Sequence, residues 1–381
     1  MAQKSCPYSP RCGGCSLLHL PYEEELQLKE EKVKKVLTRY HRVEPILGME
    51  KPWNYRNKVE AAFGMGKNRR PISGTYEEKT HRIVNVNACL NDDAIADRII
   101  LDIREMLSGF KLMPFQEDHG TGFLRHVLVK RGFQSGQVMV VLVTAAAVFP
   151  SRSNFIKALL RLHPEITTIV QNINSRRTSV LLGEREEVLY GKGFIEDTLC
   201  EKVFRISPKS FYQINPVQTE ILYQKAIEAA GLTGEETLLD AYCGIGTIGI
   251  IAADRAKEVI GVERNPDAIR DAKRNAARNG VDNIRLICAD ATEFLQSAAE
   301  DHYKLDILLM DPPRNGSTPE FLSAALAIRP RRIVYISCCP ETQARDLAPL
   351  VEGGYRVTLL QPVDLLPHTE HVENIAVLEL K

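Results

Sequence analysis

Ser337-Cys338-Cys339-Pro340 follows the apolar run RRIVYIS, and Glu373, in HTEHVEN, opens onto the apolar run NIAVLEL. A cysteine at the C-terminal exit of a buried strand stands where open α/β sheets bind their ligands. Its thiolate can add to one carbon of an electron-poor ring and push electron density onto the next, turning a poor carbon nucleophile into a competent one. A carbon that reacts in this way must then lose its proton before the thiolate leaves, so the site also needs a general base. Glu373 fits that role, with His368 and His371 as rival bases. A buried structural cysteine or a solvated loop glutamate would explain either residue alone. Two thiols and a proline at one strand exit favour chemistry.

The other reactant needs a pocket of its own. Asp240 to Gly249, DAYCGIGTIG, is a Gly-rich turn after an apolar strand, where absent side chains let a ligand approach the backbone. Glu263 ends the next strand in GVERNP, suited to accepting ribose hydroxyls, and Asp290 ends the one after in LICAD. A dehydrogenase would share the first two features. The fourth strand, however, runs into Asp311-Pro312-Pro313-Arg314, a stiff loop that resembles the fourth motif of S-adenosylmethionine-dependent methyltransferases.

These residues require a scaffold. After Pro208, strands such as ETLLDAY, EVIGVE, IRLICAD, DILLMD and RRIVYIS alternate with helical stretches, which predicts an α/β, Rossmann-like domain with a mainly parallel, doubly wound sheet. Between Trp53 and Leu199 the short runs RIVNVN, HVLVKR, QVMVVLV, TTIVQNI and TSVLL predict a β-rich domain interrupted by helices over 91–108 and 151–162. An amphipathic helix follows Pro21 within the run Leu17 to Tyr40. The expected parts are an N-terminal cysteine-and-helix region (1–52), a central β-rich domain (53–206) and the Rossmann-like domain (207–381).

Composition narrows the class. The chain has 381 residues, 44% hydrophobic and 26% charged, without an export signal or about 18 consecutive apolar residues, so a cytoplasmic protein that does not span membranes is expected. Net charge is zero, but residues 1–70 hold 14 Lys and Arg against 8 Glu, a basic N-terminal part suited to nucleic acid. Nine cysteines in a reducing compartment point to metal binding or catalysis, not disulfides. Cys6, Cys12, Cys15 and the distant Cys89 could hold zinc or an iron-sulfur cluster, and spacing does not separate the two.

Taken in order, LLDAYCGIGTIG, GVERNPDAI, MDPPRNG, YISCCPETQARDL and PHTEHVENIAVLEL, with SPKSFYQINPVQTE ahead of them, resemble the RNA uracil-5-methyltransferase family over nearly the whole chain. The resemblance implies methyl transfer from S-adenosylmethionine to carbon 5 of a uridine, with Cys338 as nucleophile on carbon 6 and Glu373 as base. It implies that Gln213, Tyr242, Glu263 and Asp311, with Thr247 and Asp290, line the cofactor and base site. The family usually has Asn where this chain has Cys339. The cysteine pattern resembles the ribosomal RNA branch and implies a [4Fe-4S] cluster on Cys6, Cys12, Cys15 and Cys89, with a loop uridine of 23S ribosomal RNA as target; the same reaction on transfer RNA is the alternative. A cluster-bearing RNA binder without catalysis and a thiol redox sensor are the competing classes. The small RNA-binding β-barrel that often begins family members has no room before Cys6, so RNA contacts are expected from Lys67, Arg69 and Arg70 beside Phe63, and from Arg125, Lys130 and Arg131 beside Phe123 and Phe133. A monomer with no obligate protein partner is expected.

Overall fold

Residues 4–78, 80–117, 119–176 and 180–381 are described in a computed structural model of the chain. The N-terminal segment forms a short α1 (Ser9–Cys12) and then α2 (Tyr22–Leu37). The central part comprises β1 (Lys58–Met65), β2 (Pro71–Tyr76), β3 (Ile83–Asn85), α3 (Ala94–Gly109), β4 (Leu124–Arg131), β5 (Val138–Thr144), α4 (Arg152–Leu162), β6 (Ile166–Ile173) and β7 (Arg185–Tyr190). Its seven strands form one sheet in the order β3-β2-β1-β4-β5-β6-β7, antiparallel except for the β5–β6 pair. A hairpin, β8 (Ile195–Leu199) and β9 (Lys202–Ile206), leads to the C-terminal domain. There α5 (Pro216–Ala230), β10 (Thr237–Ala241), α6 (Thr247–Ala252), β11 (Glu258–Glu263), α7 (Pro266–Arg278), β12 (Ile284–Cys288), α8 (Ala291–Glu300), β13 (Ile307–Met310), α9 (Pro319–Ile328), β14 (Arg332–Ser337), α10 (Pro340–Glu352), β15 (Tyr355–Val363) and β16 (Glu373–Leu380) follow.

The C-terminal sheet has the order β12-β11-β10-β13-β14-β16-β15. Strands β10 to β14 are parallel, and β16 is antiparallel to both its neighbours. Near-continuous apolar strands such as Ile307–Met310 are buried on both faces: Ile307 and Leu309 join a core with α5, α6 and α7, while Leu308 and Met310 join one with α8, α9, α10 and α2. The first of these cores extends through Leu128, Met139, Val141 and Val143 of the central sheet, so the two domains share one hydrophobic interior. The opposite face of the central sheet packs on α3 and α4.

Most expected elements are present, and three departures have physical reasons. Of TSVLL, Thr178 and Ser179 lie outside the described residues and Val180–Leu182 form no strand; the strand is β7, whose REEVLY alternates across a half-exposed edge. β15 was not foreseen, because Pro362 reads as a strand breaker, yet proline is tolerated at a sheet edge. The N-terminal helix does not stay with the cysteines. Val33 and Leu37 pack into the C-terminal domain's core, and the segment after α2 runs along β15, where Leu47 bridges Val363.

A pair of buried amides locks α10 to the end of the sheet. Gln343 donates through Nε2 to the carbonyls of Tyr335 and Asn374, at 3.0 and 3.2 Å, and accepts at 2.8 Å from Asn374 Nδ2. Replacing either by alanine strands a buried polar partner, at a cost of about 1–3 kcal/mol. Urea denaturation is expected to show Gln343→Ala and Asn374→Ala each destabilising by that amount, with the double variant well short of the sum. Additive effects would show that the two amides do not act as a pair.

Candidate active site

The register of β14 on β16 pairs Ser337 with Asn374. The next position, past the end of β14, has Cys338 on one side and Glu373 on the other, near enough for the Glu373 charge to act on the thiol. Both line a pocket of about 500 Å³ that also takes in Gln213, Tyr242, Thr247, Glu263, Asp290 and Asp311. All eight residues expected at the nucleophile, base and cofactor positions therefore face one space. It lies in the crevice between β10 and β13, where the strand order reverses.

Each wall has a local cause. Tyr242 takes a left-handed backbone, φ 67°, at the tip of the turn after β10, and its ring packs 5.6 Å from Phe321. A β-carbon on Gly244, φ 57°, would meet no protein atom, so the turn presents bare backbone. Asp240 anchors the turn by accepting from the Gly249 amide at 2.8 Å. Glu263 accepts from the Asn265 amide at 2.8 Å, and Asp290 caps α8 by accepting from Thr292 at 2.8 Å; one oxygen of each carboxylate is left for other partners. The Asp311 loop is held by Asp346, which accepts from the Ser317 amide and the Tyr335 hydroxyl, both at 2.8 Å.

Five carboxyl groups against Arg264 and Arg314 make the pocket acid-rich. Desolvation pushes Asp311 up to about 7 and Glu373 up to about 8, the latter helped by the Asp311 charge. Burial, then Glu373 and Asp311, push the Cys338 thiol up to about 11, and Arg314 opposes them. The N-terminus of α10, which begins two residues later, works in the same direction as Arg314. A cationic ligand would relieve all these groups at once.

Cys339 is placed differently. Its thiol donates to Glu341 Oε2 at 3.3 Å, and it is not among the residues lining the pocket. The rival bases are also elsewhere. His368 is buried, with Nε2 2.9 Å from the Pro52 carbonyl and its ring stacked 4.0 Å from Trp53; His371 is half-buried and outside the lining. Sequence reasoning missed Phe211, which lines the pocket yet is 68% exposed at its mouth; it stands in SPKSFYQINP, two residues before Gln213.

Cys6, Cys12, Cys15 and Cys89 line a second cavity, of about 290 Å³, between the N-terminal segment and the central sheet. Asn91 Nδ2 donates to Cys15 Sγ at 3.2 Å, and Arg56, whose buried Nε has no protein acceptor, lines the same space. Among the described residues no group of three or more His, Cys, Asp or Glu side chains is set to hold a metal ion.

The expected RNA contacts need correcting. Phe63 and Phe123 are core residues. Arg125 donates to the carbonyls of Asn174 and Arg176, Lys130 to those of Ser207 and Ser210, and Arg131 to Asp93, so these cations tie the protein together. Lys67, Arg69 and Arg70 are exposed on the β1–β2 turn, and Phe133 is 41% exposed.

Residues 174–381 match the family described as tRNA (Uracil-5-)-methyltransferase. An uncharacterised RNA methyltransferase of Halalkalibacterium halodurans is 41% identical over 381 residues, 99% of this chain and 83% of the relative. One from Caldanaerobacter subterraneus subsp. tengcongensis is 42% identical over 379 residues, 98% and 83% respectively. The crystal structure of Pyrococcus abyssi tRNA (uracil-54, C5)-methyltransferase in complex with S-adenosyl-L-homocysteine is similar at TM-score 0.79 and 31% identity, covering 97% of this chain and 86% of that one. No helix of the described residues is long and apolar enough to cross a membrane.

The acid-rich surroundings of Cys338 give a test of the site's electrostatics. Peptide-resolved mass spectrometry of iodoacetamide labelling is expected to show Cys338 slow at pH 7, accelerating about tenfold per pH unit toward its raised pKa. Glu373→Gln removes a charge that exists only above about pH 8. It should therefore speed labelling above that pH and leave it unchanged below. A rate independent of pH between 7 and 9 would mean that the thiol is already ionised.

Proposed function

Because the chain belongs to the tRNA (uracil-5-)-methyltransferase family and is an S-adenosylmethionine-dependent RNA methyltransferase, we propose that it methylates carbon 5 of a loop uridine through a covalent adduct on Cys338. The observation that supports this reading is that Cys338 and Glu373 line one acid-rich pocket. S-adenosylmethionine supplies an electrophilic methyl on a cationic sulfur. The carboxyl groups of Asp240, Asp311, Glu263 and Asp290 favour that positive charge over the neutral sulfur left behind. Glu263, at the end of β11, suits the ribose hydroxyls.

Cys338 adds to carbon 6 of uracil as the thiolate, which makes carbon 5 nucleophilic. After the methyl has moved, Glu373 takes the proton from carbon 5. A carboxylate raised toward 8 is a stronger base than an ordinary one, so burial serves the chemistry as well as the packing. The target must leave its stack to reach the thiol, and the exposed Phe211 at the mouth offers an aromatic face for an unpaired base. Gln213 lies beside it with an amide able to pair with a base edge.

The preferred substrate is 23S ribosomal RNA, in a cytoplasmic, monomeric enzyme. The second reading, transfer RNA, is favoured by the 31% identity to an enzyme that acts on uracil 54 of transfer RNA. We also propose a [4Fe-4S] cluster on Cys6, Cys12, Cys15 and Cys89. What supports it is four thiols around one cavity, with the Asn91 amide and the Arg56 guanidinium at hand to offset thiolate charge. A lone zinc at about 2.3 Å from sulfur would hold its ligands within about 3.8 Å of each other, closer than a multi-iron group does. The cluster would pin the N-terminal segment to the central sheet.

Methyl mapping by mass spectrometry, on 23S and transfer RNA incubated with labelled S-adenosylmethionine, tests the substrate. Label is expected in a 23S loop uridine, abolished by Cys338→Ala and retained by Cys339→Ala; label in transfer RNA instead supports the second reading, and loss with Cys339→Ala overturns the nucleophile. Protein purified without oxygen is expected to contain iron and acid-labile sulfide in equal amounts, falling with Cys89→Ser. Zinc in their place would overturn the cluster.

A further inference from the structure

Glu373 is delivered to the pocket by the loop between β15 and β16, and that loop is held mostly from outside its own domain. Across Leu366 to Glu370 the backbone polar groups reach back to the N-terminal segment. Lys29 Nζ donates to the Leu366 carbonyl at 3.1 Å, the Leu17 amide donates to the His368 carbonyl at 3.1 Å, and the Glu370 amide donates to Ser16 Oγ at 3.0 Å. Glu25 is the centre of this arrangement. One oxygen accepts from the His368 amide at 2.6 Å and from Lys29 at 2.7 Å, and the other lies 3.3 Å from His368 Nδ1. Lys29 in turn reaches Asp364 at 2.6 Å, at the start of the loop. Glu25, Lys29 and Asp364 are wholly buried. Such a group of charges persists only if every member stays paired, so it fixes the loop in one place.

His368 adopts φ 68°, a backbone that a histidine holds only when its surroundings impose it. Five residues further on, Glu373 must reach one proton on one ring carbon. We propose that the arm of residues 16–29, centred on Glu25, is a positioning element for the base, governing release of the methylated product and leaving the methyl-transfer step itself intact. The inference rests on the reading of Glu373 as that base. In the step concerned, the proton on carbon 5 passes to the Glu373 carboxylate, and the C–H electron pair forms the C5–C6 double bond as the C6–S bond breaks, its electron pair returning to Cys338 as thiolate. An arm that lets the loop drift slows this step alone, so the methylated protein–RNA adduct accumulates.

The readout is the ratio of adduct to free methylated RNA, measured on denaturing gels with full-length protein, labelled S-adenosylmethionine and transcripts of 23S and transfer RNA. Glu373→Gln sets the upper limit. Glu25→Gln is expected to raise the ratio about tenfold or more, in line with the cost of misplacing a reacting group by an ångström or less. Ser16→Ala removes a single bond at an exposed position, and should raise the ratio by a smaller factor even if Glu25→Gln folds poorly; Ser16→Thr, which keeps the hydroxyl, should restore it. A ratio equal to wild type in Glu25→Gln and Ser16→Ala, or adduct and product falling together, would overturn the arm's role. Absence of adduct in Glu373→Gln would overturn the base assignment, and the inference with it.

Discussion

The site depends on one register. Strand β16 enters the sheet antiparallel between β14 and β15, with Asn374 opposite Ser337. A parallel strand in the same place would begin at the far edge of the sheet and carry its first residue away from Cys338. Running backwards, β16 begins where β14 ends, so Glu373, the proposed base, arrives at the exit that presents the thiol. A slip of one residue would turn every side chain of β16 to the other face and cost both cores their packing, which makes the nearness of Cys338 and Glu373 at this end of the sheet as secure as the hydrophobic interior. The Gln343–Asn374 amide pair adds a polar lock at the same point.

That security has an electrostatic consequence. Packing Cys338, Asp240, Asp311 and Glu373 into one crevice desolvates them and shifts each toward its neutral form. The Cys338 thiol, pushed up to about 11, and the Glu373 carboxyl, pushed up to about 8, are poorly ionised at neutral pH. The cationic methyl donor changes this balance by adding positive charge to that of Arg264 and Arg314, the cationic side chains among the described residues lining the pocket. In the proposed mechanism, activation of the thiol is thereby coupled to the presence of the methyl donor, which limits unproductive addition to RNA. Cys339 does not share in this environment, since its thiol turns to Glu341 near the start of α10.

The parts legible in the sequence were those whose function is tied to local pattern. A thiol after a buried strand, a Gly-rich turn, carboxylates at successive strand ends and a stiff Asp-Pro-Pro loop each carry their position in the chain with them, and all converge on one pocket. Residues whose meaning lies in distant partners were not legible. Arg125 and Lys130 look like surface cations in RHVLVKR, but they donate to loop carbonyls more than 40 residues away, and both are buried. Phe63 and Phe123 look available for stacking beside basic residues, yet Phe63 in β1 and Phe123 just before β4 both pack into the core. Phe211 has no periodicity to mark it and is found only by its exposure at the mouth.

The same limit hid the role of the first fifty residues. Periodicity gave α2 an apolar face without saying what it packs against, and the buried Glu25 and Lys29 read as members of a solvated charged run, EEELQLKEEK. In the folded chain that face completes the core beneath α10 and β15, and the two charges inside it grip the loop that ends at Glu373. The arm begins one residue after Cys15, so the thiol-lined cavity and the base stand at two ends of a single segment. The N-terminal arm, Trp53 and Tyr55 just ahead of the central sheet, and the C-terminal domain thus meet at one loop. A buried charge group is a costly way to hold a loop if stability alone is at stake, because apolar packing would serve as well. Its value lies in direction: paired charges with fixed hydrogen bonds set an orientation that an apolar contact leaves loose, and proton abstraction from a ring carbon depends on orientation more than on affinity.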